Sequence, residues 1–180
     1  MCFRGDKLEG GEGLIQVYTG NGKGKTTAAL GLAIRASGAG FNVYIGQFVK
    51  GRFYSELASL KKIKRIKVEQ FGSRCFIRVK PGKKDIELAC EGLKKARKAI
   101  LGRRFRLVIL DEINIALNLK LISLSEVLFL LRSAPRDKEI VLTGRYAPAE
   151  IKKVADLISD IKESRHYYKK GIKARRGIEF

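Results

Sequence analysis

The run Thr19-Gly20-Asn21-Gly22-Lys23-Gly24-Lys25-Thr26-Thr27 combines three glycines, two lysines and a closing pair of threonines. Glycines lack Cβ, so successive backbone N–H groups can turn toward one point. A helix N-terminus behind such a loop adds positive potential, which makes a cradle for phosphate. Lys25 then supplies a mobile cation to the outer phosphates, and Thr26 offers a hydroxyl to magnesium. Lys23 adds a second positive charge at the mouth. The usual form of the loop is Gly-x-x-x-x-Gly-Lys-[Ser/Thr]. Counted back from Gly24-Lys25-Thr26, its first glycine belongs at position 19, where this chain has Thr19 and delays the glycine to Gly20.

A second set of chemical groups closes an apolar run, Leu107-Val108-Ile109-Leu110-Asp111-Glu112. A buried strand that delivers carboxylates at its end can hold a divalent cation beside a phosphate loop. One acid orients Mg²⁺, and the other acts on the nucleophile or shares the metal. Asn21 to Thr27 with Asp111 and Glu112 therefore point to a nucleoside triphosphate with Mg²⁺ or Mn²⁺. What is transferred stays open on these residues alone. No Gln or His adjoins Asp111-Glu112 to mark a hydrolytic water, and no second glycine-rich loop suggests a kinase lid. A P-loop ATPase or kinase is one reading, and a basic nucleic-acid-binding module is another.

Positioning these groups requires strands and helices in alternation, and the chain supplies them. Leu14 to Tyr18 reads as a strand, followed by a helix opened at Thr26 and ended by Gly38-Ala39-Gly40. Val43 to Phe48 and Ile66 to Phe71 read as two further strands. After an irregular stretch closed by Pro81-Gly82, Asp85 caps a long helix to about Leu101. Leu107 to Leu110 and Ile140 to Leu142 are apolar strands, with a helix between them from Ser123 or Ser125 to about Ser133. A helix follows Pro148, and Leu157 to Ile161 is the last strand. Continuously apolar strands alternating with helices predict an α/β fold, a parallel sheet covered on both faces. Ligands of such sheets sit at the carboxyl ends of the strands. That draws attention to Thr19 to Thr26, Gln47 to Gly51, Asp111-Glu112 and Thr143 to Arg145. A guanidinium at Arg145 suits triphosphate or a carboxylate.

Composition sets outer limits. The 180 residues are 45% hydrophobic and 31% charged, which fits one folded unit rather than a disordered chain. Residues 1–13 read as a flexible lead, and residues 14–180 as a single nucleotide-binding domain. No apolar run is long enough to span a bilayer, and the start lacks a signal peptide's apolar core. Cys2, Cys75 and Cys90 are odd in number and widely spaced, which argues against a disulfide framework and fits a reducing cytoplasm. His166 is the only histidine, which excludes a multi-histidine metal centre. The net charge of +20 attracts anions, and a lysine-rich thermophile-like surface is the competing explanation. The absence of Trp argues against a base-stacking platform.

Further segments narrow the reading. TGNGKGKTTAALGLAIRASGAG, QFVKG at Gln47 to Gly51, LVILDEINIAL at Leu107 to Leu117, VLTGRYAP at Val141 to Pro148 and the closing GIKARRGIEF follow one another in the chain. Together, from about Leu14 to Phe180, they resemble the P-loop family of ATP:corrinoid adenosyltransferases. The resemblance implies a RecA-like P-loop fold, often dimeric, which moves the 5′-deoxyadenosyl group of ATP to the cobalt(I) of a corrinoid and releases triphosphate. It implies that Asn21, Gly22, Lys23, Gly24, Lys25, Thr26 and Thr27 bind the triphosphate. Lys25 and Glu112 would serve the reaction, and Thr26, Asp111 and Glu112 the metal. It further implies an external flavoprotein reductase, a homodimer and no membrane partner, and it argues against specific nucleic acid. Members of the family use aromatic residues after the third strand to displace the lower ligand of cobalt. This chain reads FGSRCFI there, which makes Phe76 the first candidate and Phe71 the second. Lys173, Arg175 and Arg176 read as a solvated charge run or as contacts to the corrinoid edge. His166 beside Tyr167-Tyr168 reads as structural.

Overall fold

Each central strand sends alternate apolar residues to opposite faces, and both faces are covered. Val43, Ile45, Leu107, Ile109 and Val141 join Ala29 and Ala33 in one cluster. Tyr44, Phe48, Val108, Leu110, Ile140 and Leu142 join Ala89, Ala96, Ile113 and Leu130 in the other. This period-two division is the signature of a sheet buried on both sides. The computed structural model describes residues 11–73 and 81–180.

The elements run β1 (Ile15–Thr19), α1 (Lys25–Gly38), β2 (Val43–Phe48), α2 (Ser55–Leu60), β3 (Ile66–Phe71), α3 (Lys83–Leu101), β4 (Leu107–Asp111), α4 (Ile113–Asn118), α5 (Leu124–Arg132), β5 (Glu139–Thr143), α6 (Ala149–Lys153), β6 (Leu157–Asp160) and a 3-10 turn, Tyr167–Lys170. The six strands pair in the order β3-β2-β4-β5-β1-β6. All five pairings are parallel. This is the α/β sheet read from the sequence, and it is consistent with a RecA-like P-loop fold. One detail matters for the site. β5 lies between β1, which feeds the phosphate loop, and β4, which ends in Asp111. The end of β5 can therefore bridge the two.

Several boundaries differ from the sequence reading. Asp85 is not the cap of α3. Gly82 is the cap, and the Asp85 carboxylate accepts its N–H at 2.9 Å from the third helical position. An acid three residues into a helix satisfies the cap's own donor, so the pattern reads like a cap displaced by one turn. Two short helices escaped the pattern, α2 and α4. α4 starts directly after the acids, with no loop and no capping side chain, because Glu112 itself takes the left-handed conformation (φ 59°) and turns the chain.

Candidate nucleotide and metal site

The phosphate loop explains its own displaced glycine. Thr19 is still in β1, paired with Asp160 of β6, and its carbonyl accepts the Ile161 N–H at 2.9 Å. Its buried hydroxyl accepts from the Ala147 N–H at 3.4 Å. The chain leaves the sheet only at residue 20, where φ is +95° and a Cβ would stand 2.3 Å from Asp160 Oδ1. Glycine is required at 20 and not at 19. The Gly22 N–H is committed to Ile161 O at 2.7 Å, so it serves the β6 edge rather than a phosphate. Gly24, the residue before α1, is left-handed at φ 119°. The first N–H to turn back along the helix is that of Ala28, to Gly24 O at 2.8 Å. The donors of Lys25, Thr26 and Thr27 precede it, at the unsatisfied start of the helix.

Lys25 is folded over the loop. Its ammonium donates to Gly20 O at 2.8 Å and to Gly22 O at 2.7 Å. Burial lowers its pKa below the ordinary lysine value, while Glu112 and Asp111 pull the other way. Desolvation strengthens its attraction to any anion that enters.

Asp111 organises the rest. It is 1% exposed. Its Oδ1 accepts from Thr26 Oγ1 at 2.9 Å and from Thr143 Oγ1 at 2.7 Å. Its Oδ2 faces Lys50 Nζ at 2.8 Å and Gln47 Nε2 at 3.4 Å. Thr143 also accepts the Glu112 N–H at 3.0 Å, so the end of β5 fixes both acids at once. Glu112 has its pKa raised, first by burial and then by the neighbouring Asp111 charge. Lys50, Lys25 and Arg145 oppose that shift. The site thus gathers Thr26, Asp111 and Glu112 beside the loop, as their sequence positions required.

Oxygen donors from a hydroxyl and carboxylates suit a hard cation such as Mg²⁺ or Mn²⁺. Among the described residues no group of three or more His, Cys, Asp or Glu could hold a metal ion. A cation here must complete its shell from phosphate and water, which is the habit of Mg²⁺.

Other sequence candidates divide. Lys23 is at the mouth, but its ammonium is taken by the C-terminal tail, at 2.7 Å from Tyr167 Oη and 2.7 Å from Glu179 Oε1. Arg175 donates to the same Glu179 and lies 4.9 Å over the Tyr167 ring, so it is not part of a freely solvated run. His166 caps the 3-10 turn: its Nδ1 accepts the Tyr168 N–H at 3.1 Å. Arg145 is exposed beside the loop, and its charge is felt at Lys25 and Glu112. Phe71 does not face the ligand edge. It is buried, 6.0 Å from the Phe48 ring and against Gly92 of α3, because the outward position of β3 at that point belongs to Gln70. Phe76 and Cys75 lie outside the described residues.

Sequence reasoning missed Gln47, Lys50 and Thr143 as partners of Asp111. All three follow or end strands at the ligand edge, which was their only signal. It also missed Phe53 and Tyr146, aromatic side chains 65% and 59% exposed in the loops after β2 and β5. A hollow of about 620 Å³ lies elsewhere, between α3 and α5, lined by Cys90, Leu93 and Phe129 with Lys94 and Arg97.

Comparison with known proteins identifies a family. A sequence model of one family, described as "ATP:corrinoid adenosyltransferase BtuR/CobO/CobP", matches residues 11–180. A corrinoid adenosyltransferase of Sinorhizobium sp is 36% identical over 179 residues, covering 94% of this chain and 81% of that protein. One of Pseudomonas aeruginosa is 33% identical, covering 93% of this chain and 84% of its own. Corrinoid adenosyltransferase CobA of Salmonella typhimurium is 30% identical, with 93% and 86% covered.

Proposed function

The chain belongs to the ATP:corrinoid adenosyltransferase family, and from that premise we propose that it moves the 5′-deoxyadenosyl group of ATP to the cobalt(I) of a corrinoid. The C5′–oxygen bond breaks, a cobalt–carbon bond forms with the metal's electron pair, and the oxygen leaves as part of inorganic triphosphate. Cobalt(I) is itself a strong nucleophile, so the protein needs no base to activate it. Its work is to place C5′ in line with the nucleophile and to stabilise the leaving triphosphate.

One observation carries this assignment to particular residues: Thr26, Asp111 and Thr143 meet within hydrogen-bond distance beside the loop that Lys25 closes. The N–H groups at the start of α1 and the Lys25 ammonium hold the triphosphate. Thr26 and Asp111, with Glu112 beside them, hold Mg²⁺ or Mn²⁺, whose charge would offset that of the triphosphate. Arg145 meets the anion from the β5 side. Gln47 is 0% exposed beneath Asp111, so it orients the acid and is not placed to steer a hydrolytic water. That distinguishes the site from an ATPase that uses an exposed Gln. Phe53 and Tyr146 offer apolar surface for a corrinoid at the same edge.

Residues 14–180 act as one domain in this reading. The cobalt must first be reduced, so a flavoprotein reductase supplies electrons, and the family resemblance supports a homodimer. No helix among the described residues is long and apolar enough to cross a membrane. Cysteine usage supports a cytoplasmic setting.

The test is an anaerobic assay with ATP, Mg²⁺ and chemically reduced cobalamin. The expected products are a light-sensitive adenosyl corrinoid and triphosphate in equal amounts. ADP and phosphate formed at the same rate without corrinoid would overturn the reading.

A further inference from the structure

Lys50 stands where a cation between the phosphate loop and Asp111 would stand. Its Nζ is 2.8 Å from Asp111 Oδ2 and 3.4 Å from Thr26 Oγ1, the two side chains best placed to hold a divalent metal. The side chain is only 13% exposed and Asp111 1%, so this is a buried ion pair rather than a surface one. Such a pair carries a desolvation cost and gives no guarantee of stability. The chain also strains to place it. Val49, a β-branched residue, is held at φ 58°, a left-handed conformation such residues avoid. Its N–H is tied to Phe71 O at 3.0 Å, which locks the turn after β2. The turn sends Lys50 back across the sheet edge toward Asp111. Beside it the Tyr54 ring lies 5.1 Å from Nζ, a second resting surface for the ammonium.

We propose that Lys50 is a built-in competitor for the metal position: its ammonium and the divalent cation take the place between Asp111 and Thr26 in turn, and the displaced ammonium moves to the triphosphate. This rests on the reading that the site takes a metal-bound nucleotide. Two cations cannot share one buried carboxylate oxygen at contact distance without strong repulsion. A divalent cation alone must therefore push Lys50 from a buried carboxylate to the Tyr54 ring, a weaker partner. A cation arriving with ATP brings phosphate oxygens for the lysine to bind. The arrangement makes metal binding depend on nucleotide.

The test uses the full chain and its K50M and K50Q variants, each checked for cooperative melting. Free Mn²⁺ is titrated by electron paramagnetic resonance without nucleotide, and ATP is titrated by calorimetry with and without saturating Mn²⁺. Mn²⁺ alone is expected to bind K50M about tenfold more tightly than wild type, since the competing charge is gone. Saturating Mn²⁺ is expected to strengthen ATP binding to wild type about tenfold more than it strengthens binding to K50M, since only wild type has an ammonium to pass from Asp111 to the triphosphate. K50Q should follow K50M and keeps the question open to decision where K50M does not fold. Mn²⁺ affinity unchanged within twofold would overturn the proposal. Tighter Mn²⁺ with an equal Mn²⁺ enhancement of ATP binding in K50M and wild type would also overturn it, since the displaced ammonium would then not reach the triphosphate. Neither readout uses corrinoid, so failure of the adenosyl transfer assay is distinguishable from failure here.

Discussion

At the scale of single residues, the loop and Asp111 carry unequal loads. Lys25 bridges Gly20 O and Gly22 O and is buried, so its loss removes both a support of the loop and the cation closest to an entering phosphate. Lys25→Ala is expected to cut turnover by about a hundredfold or more, in line with losing one preorganised electrostatic group. ATP affinity, measured by calorimetry with Mg²⁺ present, should fall with it. An unchanged affinity would show that the loop amides suffice. Thr143 is a subtler case. It donates to Asp111 and accepts from the Glu112 N–H, so the near-isosteric Thr143→Val leaves two buried groups short of partners. That is expected to cost about 1–3 kcal/mol of stability in denaturant melts. It should raise the Mg²⁺ concentration needed for half-maximal activity more than it raises the KM for corrinoid. Equal effects on both would mean Thr143 acts on the fold as a whole and not through the acids.

At the scale of elements, the strands were the legible part and their ends were not. Leu107 to Leu110 is apolar without interruption, and it is a strand buried on both faces. Asp85 misled because an acid in the first turn looks like a cap from sequence alone. Lys50 was hidden because its direction depends on one reversed dihedral at Val49, which no residue type announces. Gly92 was equally silent within a helical pattern. A Cβ there would stand 2.8 Å from the Phe71 ring and 2.9 Å from that of Phe48. Gly92→Ala therefore gains helix propensity but overpacks the α3–sheet contact. The expected net result is a loss of about 1–3 kcal/mol, read as a lower melting midpoint. A rise in stability would show that the two rings can move apart.

The tail belongs to the same scale, because Lys23 and Glu179 lie far apart in sequence and meet only in the fold. Arg175 first, then Lys23 and Tyr167, hold the Glu179 carboxyl well below the ordinary carboxylate range. A carboxyl depressed in the folded state stabilises it above its unfolded pKa, and that contribution fades as pH falls through the depressed value. The tail should thus stay docked down to about pH 5, below which the unfolded carboxyl begins to titrate. Glu179→Gln at neutral pH imitates the acid form. Trypsin should then cut after Arg175 or Arg176 severalfold faster than in wild type, followed by mass spectrometry. Equal rates would mean that the Ser55 contact to Phe180 O holds the tail without Glu179.

At the scale of the whole molecule, the charge of +20 includes a basic cluster that lies away from the chemistry. Lys61, Lys62, Lys64 and Arg65 precede β3, and Arg103 and Arg104 precede β4, all exposed. Asn42, just before β2, ties the two groups together: its Oδ1 accepts from Arg65 at 3.5 Å and its Nδ2 donates to Arg104 O at 3.2 Å. These cations therefore flank the amino ends of a parallel sheet whose phosphate loop and acids stand at the carboxyl ends. With a Debye length of about 8 Å at physiological salt, they contribute little to holding a triphosphate at the far end of the strands. The charge-driven reading as a nucleic-acid module and the nucleotide reading can consequently be separated in one variant. Replacing Arg103 and Arg104 by Glu should flatten the log–log salt dependence of duplex DNA affinity by about two, roughly one per lost phosphate contact. The same change should leave ATP affinity within about twofold, because screening isolates the two edges. Fluorescence anisotropy with labelled DNA and calorimetry with ATP would measure the two arms. DNA that displaced ATP from the wild-type protein, or an ATP affinity that fell in step with that for DNA, would place the basic surface in the nucleotide site and defeat the separation argued from the strand polarity.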